Sequence, residues 1–555
     1  MDENNNSPDS IVFILREATI YYTNNMIMRR NTYHLITTLL AVLFTAASAS
    51  AQGNLRPRGD VNCDWEVGIA DVNTLIDAVT RGTAYHSLYT YALDINGDSE
   101  INIADVNMLI DGLLGAELPA MPSYSGTLPV LYINTEGHRD IVSKESDDYL
   151  HADWWLDAMD LEGYESIGSA REPLGLLIKG RGNYSWTLNK KPFRIKLDTK
   201  QKLLGMKSNR HFVLMAHSTW LEFLTNTVGF ELSRRIGLAY TPAQEPVEVV
   251  LNGQYIGLYF VTEKIRVGKN RVNVTEQTPG DTDPSHATGG WLIEIDDHPD
   301  PDQFVFQEGN GNWIGVKYHS PDSLSPQQFG YLYNLMVNTD KAIYNKNKQS
   351  VEWEKYIDMD TLACFYIVNE VTDEIESFAN SLFLHKQQGD SAKLLFGPVW
   401  DFGCSFGRAQ NPATWFLYEN TAPNFKAHWL EELLKYPRLQ ACVRKHWHEF
   451  YPSQLETIED FIDAFVDKIE QAGFADAARW PEYVNGVPLR RRADYFYKPL
   501  LRAKVDFLKQ QWGEEWSEPQ DEQETSTQLG TNRNTRPSTR TRPHQDTVRT
   551  LEIKH

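Results

Sequence analysis

Two stretches of the chain repeat each other, and an internal repeat confines what that part can fold into. One is DVNCDWEVGIADVNTLIDAV, beginning at Asp60; the other is DINGDSEINIADVNMLIDGL, beginning at Asp94, an offset of 34 residues. In each, side-chain oxygens fall at loop positions 1, 3, 5 and 12: Asp60, Asn62, Asp64 and Asp71, then Asp94, Asn96, Asp98 and Asp105. Position 7, Glu66 or Glu100, offers its backbone carbonyl. That spacing wraps one hard cation, because calcium gathers about six to eight oxygens from a tight loop. After each loop, Val72, Leu75 and Ile76, then Val106, Leu109 and Ile110, recur at helical spacing. The expectation is a small all-α module of two loop-helix units around two calcium ions.

Both copies carry the pentapeptide IADVN, so the module should be nearly two-fold symmetric. It resembles a type I dockerin over residues 58–116. Dockerins fold around calcium and dock onto cohesin modules, so the resemblance implies a cohesin-like partner. Related modules often carry Ser or Thr just before the twelfth ligand, where this chain has Ile69-Ala70 and Ile103-Ala104; the class of cohesin stays open.

Upstream, residues 26–51 read as a secretory signal: Arg29 and Arg30, an apolar run from Leu35 to Ala47, and the small-residue site Ala49-Ser50-Ala51 before Gln52. Translation is expected to start at Met26 or Met28, leaving residues 1–51 as upstream extension and signal peptide. No later stretch is apolar and long enough to span a membrane. The product is expected to be exported, to the extracellular space, the periplasm or the cell surface. A net charge of −22 argues against a nucleic-acid partner, which would need a basic face. Four scattered cysteines exclude a disulfide-dense scaffold. A linker over 117–127 leads to a large domain, 128–516, and a polar tail over 517–555 is expected to be disordered.

The large domain opens with strand-like segments (LPVLYINT, LGLLIKGRG, KPFRIKLD, HFVLMAH), then a helix through Leu221, Leu224, Val228 and Leu232. A hairpin turning at Asn252-Gly253 follows, and helical patterns dominate from Ser325 onward. That order suggests an α+β domain with two lobes. Three stretches could carry chemistry. KGRGNYSWTLNKKPFRIKLD crowds Lys179, Arg181, Lys190, Lys191 and Arg194 around a Gly-rich turn, with Lys196 following. Such a cluster in an acidic chain suits an anion such as phosphate. NEVTDEIESFANSLFLHK gathers Glu370, Asp373, Glu374, Glu376 and Asn380, and GPVWDFGCSFGR sets Asp401 between aromatics. Carboxylate and amide oxygens from these two could hold magnesium beside phosphates. His217 and His385 read as packing histidines.

In this order, with LLGMKSNRHFVLMA and FELSRRIGLAYTPAQEPVEVVLNGQYIGLYFVTEKI between them, these blocks are similar to the CotH (spore-coat-protein-H-like) kinase family over about residues 128–512. The resemblance implies an atypical protein-kinase-like, two-lobed fold and phosphorylation of a secreted protein with ATP and magnesium. Carried over residue by residue, Lys196 would grip ATP phosphates with Arg181 and Lys191 helping, and Glu231 would orient the lysine. Asp401 and Asn380 would hold magnesium, and Asp373 or Glu376 would accept the hydroxyl proton. Many relatives carry an acid where Gly403 stands. The other reading is a catalytically inactive surface or scaffold protein associated with polysaccharide degradation.

Overall fold

A computed structural model describes residues 57–513, apart from 63, 65, 82–92, 97–99, 120–122, 146, 219–221, 299–302, 407–412, 414, 416–426 and 485–486. The expected signal peptide, the C-terminal tail and Asp98 lie outside the described residues.

Each calcium-type loop runs into a helix, α1 (Ile69–Arg81) and α2 (Ile103–Leu113). Helical spacing puts Val72, Leu75, Val106 and Leu109 into one small core, all at most 1% exposed. Asn102 caps α2, its side-chain oxygen accepting from the Ala104 N–H at 2.7 Å, while Asp105 reaches back to the Asn102 N–H at 2.9 Å.

The large domain begins with seven strands: β1 (Val130–Thr135), β2 (Leu150–Asp157), β3 (Leu174–Gly180), β4 (Phe193–Gln201), β5 (Asn209–Met215), β6 (Gln244–Leu251) and β7 (Gln254–Glu263). They close into a barrel in the order β1-β2-β3-β4-β5-β7-β6, with β6 returning to pair parallel with β1. Alternation decides what enters it: in β4, Phe193, Ile195 and Leu197 are at most 1% exposed and fill the interior, while Arg194 and Lys196 point out. Helix α3 (Glu222–Ile236) runs between β5 and β6.

A second, antiparallel sheet has the order β12-β11-β8-β10-β9. Its strands are β8 (Trp291–Ile295), β9 (Gln303–Gln307), β10 (Trp313–Ser320), β11 (Leu382–Lys386) and β12 (Leu394–Phe396). Helices α4 (Pro326–Ile343), α5 (Met359–Val371), α6 (Pro437–Phe450), α7 (Ile458–Arg479) and α8 (Lys498–Trp512) surround it and share its core with α3. The domain is therefore α+β.

Every residue of β7 is buried, because α7 covers the outer face that the barrel leaves bare. Leu258 and Phe260 project there, with Phe260 5.7 Å from Phe223 and 6.0 Å from Phe465 between ring centres. A buried ion pair fixes the contact: Lys190 Nζ lies 2.7 Å from Asp476 Oδ1 on α7, and that oxygen also accepts the Leu258 N–H at 2.8 Å.

Candidate functional site

A cleft of about 730 Å³ has walls from both the barrel and the second sheet. Arg181, Arg194 and Lys264 come from the ends and outer faces of β3, β4 and β7. Glu294, Lys317 and His319 come from β8 and β10, and Asp296 directly follows β8. Glu376, Asn380 and Asp401 come from the two acidic stretches, and Asn226 and Glu222 from α3. One cavity thus sets cations against carboxylates. That suits a polyanion bound through a divalent cation, since phosphate oxygens pair with the cations and a hard metal takes the carboxylates and amide oxygen.

Packing places Asp401. Phe402, fully buried, lays its ring over Gly229 of α3, where a Cβ would come within 2.5 Å of it. The Phe402 N–H donates to Asn226 Oδ1 at 3.1 Å. Asp401 then takes a left-handed backbone (φ 59), as do Ser381 (φ 53) and His217 (φ 48), all three on the cleft wall. Non-glycine residues held there cost on the order of 1–3 kcal/mol each, and such strain concentrates at functional sites. Gly403 leaves space beside Asp401: a Cβ on it would stand 3.2 Å from Asp401 Oδ1 and 3.7 Å from Glu222 Oε1.

Glu374 stitches the two acidic stretches together. Buried, it accepts from the Cys404 N–H at 3.2 Å and the Ser405 hydroxyl at 2.9 Å through Oε2, and from the Glu376 N–H at 3.1 Å through Oε1. Burial lifts its carboxyl well above the ordinary 4.5, and the nearby charges of Glu376 and Asp401 add to this. Asn380 Oδ1 accepts the Asp297 N–H at 3.1 Å, which orients its amide. Cys404 Sγ donates to Glu376 Oε1 at 2.9 Å.

Asp401 is open to the cleft, yet the protein crowding round it raises its carboxyl above the ordinary 3.8. Arg181 and the Gly403 N–H oppose that rise, while Glu294 and Asp296 reinforce it. Lys264 is brought down to about 7, chiefly by desolvation and then by the charges of Arg194, Arg266 and Lys179. His217 falls to about 3, chiefly through burial, so it stays neutral; its ring lies edge-on to Phe260 at 4.7 Å.

Of the residues singled out from the sequence, Arg181, Glu376, Asn380 and Asp401 meet at the cleft. Of those given kinase-type roles, Asp373, Lys191, Glu231 and Lys196 do not line it. Asp373 is 3% exposed and its Oδ1 lies 2.9 Å from Lys504 Nζ on α8, inside a buried ion-pair group. Lys191 turns inward and donates to the Trp186 carbonyl at 2.6 Å. Glu231 pairs with its own helix's Arg235 at 2.7 Å and Arg234 at 3.1 Å. Lys196 points out of the barrel beyond Arg194, beside His211, so Arg194 takes the place at the cleft that the sequence reading gave to Lys196. Glu294, Asp296 and Lys264 were missed. The signal for the first two was a pair of acids at alternate positions of the apolar run WLIEID, which puts both on one strand face.

In the small module the described candidate loop residues lie close together. Asp60 and Asp71 are at most 1% exposed; Asp71 accepts the N–H groups of Val61 at 2.7 Å, Asn62 at 2.9 Å and Gly68 at 2.8 Å. Asp64 Oδ1 accepts from the Glu66 N–H at 2.9 Å. In the second loop Asp105, fully buried, accepts from the Asn96 N–H at 3.2 Å. Burial raises both Asp71 and Asp105 above 3.8, and the charges of Asp64 and Asp94 respectively push the same way. Buried, mutually repelling oxygens in one tight loop fit a hard dication.

A family model described as CotH kinase protein matches residues 178–518, more than half of the chain, and one described as dockerin type I domain matches residues 58–114. A comparison with curated proteins finds no match. No helix among the described residues is long and apolar enough to cross a membrane. The chain belongs to the CotH kinase family and carries a calcium-binding type I dockerin domain on the N-terminal side of its family domain.

Proposed function

We propose that the chain is an exported phosphotransferase that moves the γ-phosphoryl group of ATP to a hydroxyl of a secreted protein, and that its dockerin docks it to a cohesin-like partner. The observation that carries the reading is the single cleft in which Arg181, Arg194 and Lys264 face Asp401, Asn380 and Glu376. Asp401 and Asn380 would hold magnesium, which supplies charge neutralisation for the phosphates. Arg181 and Arg194 bind and orient the phosphate chain, and Lys264 adds a cation whose charge depends on pH near neutrality. Of the two candidate bases, Glu376 lines the cleft and takes the hydroxyl proton. Rate enhancement then comes mainly from positioning and charge stabilisation.

Docking is calcium-dependent in this reading because the loops that seat α1 and α2 are built from the ligands themselves. Ile69 and Ile103 occupy the same place in the two copies and are 46% and 43% exposed, which gives a partner a two-fold apolar pair. The experiment is transfer of labelled phosphate by the purified chain with ATP and magnesium. Wild type labels an acceptor protein and Asp401→Ala does not; equal background in both refutes the enzymatic reading. One observation favours a non-catalytic relative that only binds: the Cys404 thiol already occupies Glu376 Oε1. Nucleotide binding without transfer, unchanged in Cys404→Ala, would select that alternative.

A further inference from the structure

Away from the cleft, α5 and α6 pack against each other, and each presents a pair of ligand-type residues four apart: Asp360 and Cys364 on α5, Cys442 and His446 on α6. A spacing of four puts both side chains of a pair on one face of a helix. The facing pairs bring Asp360, Cys442 and His446 together with one ligand atom of each within 4.8 Å of the others. Cys442 Sγ lies 3.5 Å from Asp360 Oδ1, and His446 Nε2 lies 2.8 Å from the same oxygen. The other ring nitrogen, Nδ1, faces Glu449 Oε2 at 3.5 Å. A carboxylate next to the far nitrogen is what supports the ring of a metal-binding histidine, and Glu449 stands within reach of that role. Cys364 and Cys442 are both 7% exposed, and Asp360 sits at the mouth with a side chain 65% exposed, giving a route in from solvent.

We propose that Asp360, Cys442 and His446 form a binding site for a zinc-class divalent ion that ties α5 to α6. The donor set, one thiol, one imidazole and one carboxylate, selects a borderline-soft metal; calcium and magnesium take oxygen alone. Cys364, one turn along α5 and as buried as Cys442, is the candidate for the fourth position. The ion displaces the thiol proton to solvent and leaves the cleft and the calcium loops untouched, so the site is structural and separate from phosphoryl transfer.

The test uses the full chain, reduced, freed of transition metals and held in excess calcium, titrated with cobalt(II). One equivalent should bind with a thiolate-to-cobalt charge-transfer band, zinc should abolish the band, and zinc should raise the melting temperature. Cys442→Ser takes away at least half of the band. Glu449→Gln weakens binding by about 10- to 100-fold, the usual range for loss of a supporting carboxylate. If Cys442→Ser does not fold, Asp360→Asn carries the test, since its side chain is at the surface: it must lower cobalt affinity and remove the zinc-induced melting shift. Absence of the band in wild type, an undiminished band in Asp360→Asn, or a disulfide joining Cys364 to Cys442 in the exported protein overturns the proposal.

Discussion

Lys504 is fully buried on α8, its Nζ 2.7 Å from Glu370 Oε1 and 2.9 Å from Asp373 Oδ1. Burial alone would lower its pKa, but the two carboxylates overcompensate and hold it above the ordinary 10.5. Lys504→Met keeps the volume and removes the charge that compensates two carboxylates at 0% and 3% exposure. Breaking a buried pair from one side costs roughly 3–5 kcal/mol, mostly the penalty on the charge left behind. For a domain of roughly 400 residues each kcal/mol moves the melting temperature by only about 1.2 °C, so a fall of about 4–6 °C is expected. Adding Glu370→Gln and Asp373→Asn to Lys504→Met should recover much of that loss, because no charge is then stranded. Calorimetry with saturating calcium isolates the large domain's transition. Asp373→Asn alone should lower stability while leaving labelled-phosphate transfer per folded molecule near wild type. A Lys504→Met shift below about 2 °C refutes the stranded-charge reasoning. Loss of transfer in Asp373→Asn without loss of stability returns that residue to the role of base.

Gly229→Ala pushes a methyl into the Phe402 ring; overpacking costs about 1–3 kcal/mol, and because Asp401 is adjacent, transfer activity should fall more than stability does, as a comparison of activity with melting temperature will show. His428 is buried between Asp297 Oδ1 at 3.0 Å and Glu308 Oε2 at 3.3 Å; burial lowers its pKa but the two carboxylates outweigh it and raise it to about 9. A folded value above the ordinary 6.5 means its stabilisation, roughly 3 kcal/mol, is complete below that pH and is lost as pH rises through about 9. His428→Gln should therefore flatten the fall in urea stability across that window. Chelating calcium should destabilise the dockerin most at neutral pH and least in acid. Without the ion, Asp71 and Asp105 have raised pKa values, so the calcium-free module gains stability as pH drops toward 3.8, as circular dichroism of the full chain with and without chelator will report.

What could be read from the chain follows from how local each feature is. The calcium loops were legible because every ligand lies within twelve residues of its partners, so spacing alone groups them. The β4 alternation was legible because one strand's pleat decides which of Phe193 and Arg194 turns inward. Barrel closure was not, since the parallel pairing of β1 with β6 joins segments more than a hundred residues apart with no local mark. The same distance hid Lys264 as a cleft cation and the capture of Asp373 by Lys504, 131 residues downstream. Among the crowded cations of the Gly-rich stretch, charge density could not tell which were committed to structure. Lys179 donates to the Glu145 carbonyl at 2.8 Å and Lys190 to the Leu258 carbonyl at 2.7 Å, which leaves Arg181 and Arg194 for the cleft.

The seat of α7 on β7 sets a schedule for the nascent polypeptide. The strand ends at Glu263, whereas its covering helix starts only at Ile458. Through nearly two hundred residues of synthesis and translocation, Leu258 and Phe260 wait without a lid. Any product cut short before Asp476 keeps a sticky greasy stripe and a lysine at position 190 without its carboxylate. Shortened versions ending in that interval should precipitate or be degraded rather than persist as a free barrel.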